Sequence, residues 1–451
     1  MMDFTEKKIS IIGAARSGLA SAEVLTELGA DVFLSEISPA DKFPEALSLL
    51  KKRNIKHEFG GHSKDVFNCQ LIVTSPGIPA DSDILIQAQA NNIKIISELE
   101  LGYLLCQGKI IAITGSNGKT TTTSLIGEIF RQANISCEVA GNIGKPFVSI
   151  ARDIKNSGWG IIEVSTFQLE WIDKFKPDIA VVLNITPDHL DRHKTMENYI
   201  ALKLKIFSNQ NSIDKAVLNY DDNHLKKYKP NSEILNFSNH SIIDNGCFIE
   251  HGSMYISRYD KKERIIDIKD IGIKGPHNIS NACAASACCI AAGIDAEHIA
   301  AGLKSFAGVE HRLEKAGKIG TVSFINDSKA TNVDAVYWAL QSVAPPIVLI
   351  AGGRDKGGKF ETLNGLVSKH VKDVVLIGEA AEIIASAFKG ITKLHYIDSM
   401  NEAVKSAYKL ATPDGSVLLS PGCASFDMYD NYEQRGEIFK KAVIKLKGEV
   451  G

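Results

Sequence analysis

The chain has 451 residues, 44% hydrophobic and 23% charged, with a formal net charge of −2. That length is too great for one ordinary core and predicts about three domains, while the near-neutral balance removes the electrostatic case for a nucleic-acid or acidic-membrane binder. Eight cysteines are scattered without C-x-x-C or zinc spacing, so they are expected as small buried apolar residues in a reducing compartment, not as disulfides or metal ligands. No basic-then-apolar leader is read at the N-terminus. The most apolar stretch, 282–294, is too short and too small-residued to span a bilayer, so a soluble cytoplasmic monomer is expected.

Residues 1–98 alternate strand and helix patterns, with strands expected at 9–12, 31–34, 71–74 and 93–96 and a helix at 17–28. This is an α/β layer with a parallel sheet. Its first turn, Gly13-Ala-Ala-Arg-Ser-Gly18, is a G-x-G-x-x-G with Ala15 in place of the middle glycine, the one that admits a pyrophosphate to the backbone. Glu36 lies about 20 positions on, where an acid would hold a ribose. A dinucleotide-type ligand site and a ligand-free, close-packed βα turn are both open at this point.

Residues 99–308 hold the strongest motif. The run 109–114 is a buried-strand pattern, followed by Gly115-Ser-Asn-Gly-Lys-Thr120 and a helix carrying Leu125, Ile126, Ile129 and Phe130 at helical spacing. Strand, glycine turn and helix opening on Lys-Thr make a phosphate loop. Backbone N–H groups and the helix N-terminus meet the anion, Lys119 reaches the terminal phosphates, and the Thr120 hydroxyl suits Mg²⁺. The spacing is two residues shorter than the standard loop. Two further strands, 159–164 and 179–183, end in Glu163 and in the segment reaching Asp188 and His189, so three strand ends gather a phosphate cradle, a hard-oxygen acid and a His/Asp pair. Lys203 and Lys205 read as surface lysines on composition. The stretch 232–274 changes to short alternating runs, a small antiparallel excursion. Pro276 and Asn278 then open a long small-residue helix, with Asn278 as its expected N-cap.

Residues 309–451 repeat the α/β alternation, with strands expected at 322–325, 346–350, 373–377, 393–397 and 416–419. Three of these lead into polar loops, at 326–332, 352–358 and 420–427, whereas neighbouring connections are plain. The asymmetry places a second ligand site at one edge of this sheet.

Together with Gly141-Asn-Ile-Gly144, Gln168, His277-Asn278 and His311-Arg312, these motifs resemble the Mur ligase family, whose own phosphate loop has the short G-x-x-G-K-T form. Ser75-Pro-Gly-Ile, Ser165-Thr-Phe-Gln-Leu-Glu170, Asp327-Ser-Lys-Ala-Thr-Asn332 and the 419–436 stretch point to the branch that adds D-glutamate to UDP-N-acetylmuramoyl-L-alanine. The resemblance covers essentially the whole chain. It implies three domains: a Rossmann-like one at 1–98 for the UDP-sugar, a mostly parallel P-loop ATPase at 99–308, and a Rossmann-like one at 309–451 for the amino acid. It implies that Gly115, Ser116, Asn117, Gly118, Lys119, Thr120 and Thr121 hold ATP phosphates, with Asn281, Arg312 and Asp327 around the rest of the nucleotide. Mg²⁺, expected as two ions, would use Thr120, Glu163, His189 and Lys203, the last as a carbamate. Gly13, Arg16, Ser17, Glu36, Ser75, Gly77, Asn142, Ser165 and Gln168 would serve the UDP-sugar; Lys329, Thr331, Lys356, Ser425 and Tyr432 would face D-glutamate. Lys119, His189, Lys203 and Glu163 would carry the chemistry.

Four positions depart from the family's pattern: Ala15, Thr166, and the pair Ser35-Glu36 at the uracil end. Rival readings are a folylpolyglutamate-type ligase, an NAD(P)-dependent oxidoreductase built on residues 13–18, and a non-catalytic nucleotide switch.

Overall fold

The computed structural model describes residues 3–259 and 261–450, apart from the side chain of Asp191. Three sheets follow one another along the chain, one for each expected α/β layer. The first joins β1 (Lys8–Ile12), β2 (Asp31–Glu36), β3 (Lys56–Phe59), β4 (Leu71–Thr74) and β5 (Lys94–Ser97) in the all-parallel order β3-β2-β1-β4-β5. β1 reads KISII, apolar on both faces as a covered parallel strand must be. The helix Arg16–Glu27 buries Gly18, Ser21, Ala22 and Leu25, the i, i+3, i+4, i+7 stripe that faces a sheet. A Cβ at Gly18 would lie 1.9 Å from the Gly13 carbonyl oxygen, so the glycine lets the helix sit directly on the β1 turn.

The second sheet contains β6 (Lys109–Thr114), β7 (Cys137–Gly141), β8 (Trp159–Glu163), β9 (Ile179–Val182), β10 (Lys215–Asn219), β11 (Glu233–Ser238), β12 (Gly246–Glu250), β13 (Ser253–Arg258) and β14 (Lys261–Asp267). Their order is β14-β13-β12-β11-β10-β9-β6-β8-β7. Pairing is parallel from β7 to β12; only β13 and β14 run antiparallel, which is the excursion foreseen at 232–274. The helix that follows spans Pro276–Ala291. Asn278 is therefore inside its first turn, donating to the Lys274 carbonyl at 2.9 Å, and is not the cap expected from sequence.

The third sheet holds β15 (Glu314–Ile319), β16 (Val322–Asn326), β17 (Ile347–Gly352), β18 (Val371–Ile377), β19 (Lys393–Tyr396) and β20 (Ser416–Leu419) in the order β15-β16-β20-β17-β18-β19. All pairs are parallel except β15 with β16.

Contacts divide the chain into two compact units, 1–185 with 192–271 and 280–305, and 186–191 with 272–279 and 306–451. The first two sheets share a unit because one apolar cluster runs through both, from Ile9 and Leu34 through Leu99, Leu101 and Leu105 to Ile110, Phe147 and Phe175. The helix Glu98–Leu105 is the connector. Its Glu100, 1% exposed, accepts the N–H groups of Asp173, Lys174 and Phe175 at 2.8–2.9 Å, so the buried carboxylate is fully satisfied. All eight cysteines are free thiols, five buried and three half-buried, and among the described residues no helix is long and apolar enough to cross a membrane.

Gly18→Ala should lower the urea midpoint of unfolding, followed by circular dichroism, by the equivalent of roughly 1–3 kcal/mol. Gly77→Ala, where a Cβ meets nothing within 4 Å, should change it by less than about 0.5 kcal/mol.

Candidate active site

The turn after β6 and the helix Lys119–Gln132 have the strand–turn–helix form expected of a phosphate loop. Gly118 caps the helix at φ +84°, and a Cβ there would stand 2.2 Å from Asn281 Oδ1, so Asn281 packs onto the loop and only glycine fits beneath it. A neighbouring strand fixes the loop's shape. Asn184, just past β9, accepts from Asn117 N–H at 2.8 Å, donates to the Asn117 carbonyl at 3.1 Å, and accepts Ser116 N–H on its own carbonyl at 3.0 Å. Lys119 Nζ lies back over the turn, donating to the Gly115 and Ser116 carbonyls at 2.7 and 2.8 Å. The Thr121 and Thr122 hydroxyls are buried with no hydrogen-bond partner among the described residues. The first N–H groups of the helix have no partners within it and suit an anion.

Glu163 ends β8 only 2% exposed. Thr120 Oγ1 donates to its Oε2 at 2.8 Å and Asn142 Nδ2 to its Oε1 at 3.0 Å. A hydroxyl against a carboxylate is a hard-oxygen set that fits Mg²⁺. From the loop, Ser116 Oγ lies 3.0 Å from Tyr199 OH, and Lys203 Nζ sits 4.4 Å from the centre of the Tyr199 ring. Tyr199 and Lys203 share a face of the helix Met196–Leu204 at i, i+4 spacing. Lys203 is 2% exposed, and Lys205 is half-buried, donating to the Leu169 and Glu170 carbonyls at 3.0 and 2.9 Å. Neither is the surface lysine that composition suggested: Lys203 lies on the inner face of its helix, and Lys205, in the turn that follows, is tied to the main chain of 169–170.

In the first sheet β1 and β4 are neighbours although far apart in sequence, and the crevice between their ends is where such folds bind ligands. Gly13 and Ser75 meet there. Ser75 Oγ is buried, has no hydrogen-bond partner among the described residues, and would lie 2.8 Å from a Cβ at Gly13. Glu36 turns its carboxylate to the backbone, accepting Ala14 and Ser38 N–H at 2.9 Å each. Arg16 is exposed, donating to the Gly144 carbonyl at 3.3 Å, and Ser17 is half-buried.

Arg192, given no role by the sequence reading, grips the 75–78 loop. It donates to the Pro76, Gly77 and Ile78 carbonyls at 2.9, 3.4 and 2.8 Å, pairs with Glu170 at 2.9 Å, and stacks 4.1 Å from the Phe167 ring centre. Gln168 is 1% exposed and its amide is engaged at both ends. Its Oε1 accepts Ser165 N–H and Oγ–H at 3.0 and 3.1 Å, and its Nε2 donates to Glu98 Oε2 at 3.3 Å. Ser165 itself stays half-exposed. Glu98 also accepts Val148 N–H at 2.7 Å, and burial pushes its carboxyl up to about 7.

In the second unit the three polar loops follow β16, β20 and β17, which are adjacent strands in the interior of the sheet and not at the edge that the sequence suggested, because β15 pairs outside β16. Asp327 accepts Leu313 N–H at 3.2 Å and Ser420 Oγ–H at 2.9 Å; burial pushes its carboxyl up to about 7 against the pull of the Arg312 guanidinium. Lys329 Nζ donates to Tyr432 OH at 3.0 Å. Thr331 and Lys356 are half-buried, and Ser425 is buried with its carbonyl accepting Met428 and Tyr429 N–H. Arg435, 1% exposed, donates to Ser328 Oγ and carbonyl at 3.0 and 2.7 Å and to the Cys423 carbonyl at 3.2 Å. Sequence gave Arg435 no role. His189 also belongs to this unit, at φ +53° and with Nε2 3.5 Å from Asp188 Oδ2. Burial, reinforced by Arg312, holds His277 down to about 3. The side chains of Glu310, His311 and Glu437 converge, but the Lys440 ammonium already pairs with Glu310, Glu314 and Glu437.

A strand, glycine turn and helix backed by a strand-end carboxylate, in a chain that also carries two Rossmann-like sheets, has the make-up of a nucleotide-using α/β enzyme. Comparison with known proteins agrees along the whole chain. A MurD N-terminal domain matches residues 8–84, a Mur ligase middle domain 113–289, and a Mur ligase glutamate ligase domain 311–423. The chain is 44% identical over 453 residues to a UDP-N-acetylmuramoylalanine–D-glutamate ligase of Thermoanaerobacter sp. (strain X514), covering 99% of this chain and 100% of that one. It is 41% identical over 452 residues to the ligase of the same name from Clostridioides difficile (strain 630), with 99% and 100% covered. The protein belongs to the Mur ligase family. Among solved structures, UDP-N-acetylmuramate-alanine ligase MurC from Thermotoga maritima shares the fold at TM-score 0.62 and 20% identity, covering 98% of this chain and 100% of that one. MurF ligase from the same organism, in complex with ADP, does so at 0.60 and 18%, covering 92% and 95%.

The raised Glu98 carboxyl fixes a pH dependence. A group whose folded pKa is about 7 against an ordinary 4.5 binds more protons folded than unfolded between those values, so stability falls as pH rises through that window. Glu98→Gln should remove a fall of roughly 3 kcal/mol at most, seen as denaturation midpoints that converge at pH 4 and separate toward pH 7.5 in the variant's favour.

Proposed function

We propose that the protein is an ADP-forming ligase that joins D-glutamate to UDP-N-acetylmuramoyl-L-alanine in the cytoplasmic stage of peptidoglycan synthesis. The observation that carries this reading is the full-length match, with all three family regions, to relatives whose names state that activity. Residues 1–98 would take the nucleotide sugar, 99–308 ATP, and 309–451 the amino acid.

A carboxylate is a poor electrophile, so ATP first phosphorylates the alanyl carboxylate. The amine of D-glutamate then attacks the acyl phosphate through a tetrahedral intermediate, and phosphate leaves. Lys119 and the N–H groups of the loop hold the transferring phosphoryl oxygens and offset their charge, the largest contribution in such chemistry. Thr120 and Glu163 would hold Mg²⁺, with Lys203 as a carbamate and His189 serving a second ion; bound there, Mg²⁺ supplies charge neutralisation and a template for the reacting oxygens. Burial of Lys203 in the site's interior supports a role beyond a solvated cation. The unpartnered Ser75 hydroxyl beside the Gly13 turn supports a ligand in the 1–98 crevice. Asn142, already on Glu163, is the amide nearest the acyl end in this reading. Lys356, Lys329 and Tyr432 would meet the D-glutamate carboxylates, while Arg312, Asn281 and Asp327 surround the nucleoside of ATP.

ADP production with UDP-N-acetylmuramoyl-L-alanine should require D-glutamate; equal rates with L-glutamate, L-lysine or diaminopimelate would reject the assignment. Lys119→Ala should lower ADP release by at least about a thousandfold. Lys203→Ala should be inactive and regain part of its rate on addition of a short carboxylic acid; wild-type activity in that variant excludes the carbamate.

A further inference from the structure

The carboxyl end of β2 carries a hydrogen-bonded chain that the ligase reaction leaves unused. Ser35, wholly buried, donates its hydroxyl to Glu58 Oε1 at 2.6 Å, and His62 Nδ1 lies 2.6 Å from the same Ser35 oxygen. Glu58 is held in turn by Ser63 N–H at 2.9 Å. A hydroxyl has one proton. With that O–H donated to the Glu58 carboxylate, His62 Nδ1 must carry its own hydrogen and donate it to the Ser35 oxygen, which leaves Nε2 as a bare acceptor. Burial lowers the His62 pKa despite the nearby Glu58 and Glu36 carboxylates, so the ring is neutral near pH 7 and keeps that lone pair.

The place matters as much as the tautomer. A ligand whose phosphates lie at the Gly13 turn, in the crevice between β1 and β4, directs its nucleoside over the ends of β2 and β3. Gly60 and Gly61 lie between β3 and His62, with Gly60 N–H on the Glu36 and Ser38 carbonyls, and a Cβ at either would meet nothing within 4 Å. No side chain crowds the backbone of these two glycines, so a flat ring can approach it. Glu36, the acid expected to read the ribose, is committed to the Ala14 and Ser38 N–H groups. We infer that His62, fixed by Ser35 and Glu58, is a specificity residue that accepts a hydrogen bond on Nε2 from the imide N3–H of uracil in the nucleotide sugar. Uracil offers a donor at N3. Cytosine offers a lone pair at the same position, which would face the Nε2 lone pair and be rejected.

The inference rests on the nucleotide-sugar reading above, and its test separates the two. KM is measured on the full chain for UDP-N-acetylmuramoyl-L-alanine and for its N3-methyluridine counterpart, with D-glutamate and ATP present. Wild type should show a roughly tenfold or greater rise in KM for the methylated substrate. His62→Ala should raise KM for the natural substrate roughly tenfold and bring the two substrates within about twofold, with KM for ATP changed less than about twofold. Equal KM values in wild type, a result that needs no variant, or full discrimination retained in His62→Ala overturns the role of His62. No turnover of the UDP-sugar by wild type overturns the substrate reading itself, and the inference with it.

Discussion

A buried carboxylate is tolerated only where hydrogen bonds replace the water it has lost, and Glu163 imposes that condition on the central sheet. Its strand, β8, lies between β6 and β7, and each neighbour sends one group to it: Thr120 from the helix that follows β6, Asn142 from the turn that follows β7. The main chain adds to the grip, since Asn142 N–H donates to the Glu163 carbonyl at 2.9 Å. The rotation of the phosphate-loop helix, the height of the turn at 141–144 and the direction of the acid are therefore one arrangement. Asn184 completes it from β9 by copying backbone hydrogen bonds onto residues 116–117.

The same logic ties the first sheet to the second. Glu98 and Glu100, both on the connecting helix, take N–H groups from Val148 and from 173–175, while Arg192 takes the carbonyls of 76–78. A charge withdrawn from water strengthens its hydrogen bonds, which are about twice as strong as neutral ones. A few buried ions thus set the spacing of loops that apolar packing alone would leave loose. The cost is visible in Glu98, whose proton affinity rises because its two donors do not fully replace water.

What was legible in the sequence was what is local. The phosphate loop, the Gly13 turn and the strand ends at Glu163 and Asp327 are written within a dozen residues each, as a change from strand to turn to helix. β3 and β7 escaped because KHEF and CEVAG carry mixed polarity and acquire their identity from parallel partners. Arg192, Asn184 and Arg435 escaped for a different reason: their partners lie roughly 60 to 115 positions away, and nothing in the local pattern marks a side chain that will bind a distant main chain. Lys203 was misjudged as solvated because a nine-residue helix shows too little periodicity to tell its inner face from its outer one. Asn278 was misplaced by three residues, since Pro276 at the first helical position had already fixed the start.

One guanidinium carries a lesson for the second unit. Arg435 binds the main chain of Ser328 and of Cys423, and Ser328 Oγ donates to the Tyr432 carbonyl at 2.8 Å, so the segments after β16 and β20 and the start of the helix Tyr432–Val450 share a single anchor. Backbones held in this way cannot be reshaped one at a time. A descendant of this chain that accepts a different amino acid would have to exchange side chains on an unchanged frame, in the way a lock is rekeyed without moving its bolt. Insertions in these segments would be selected against before they could alter what is bound.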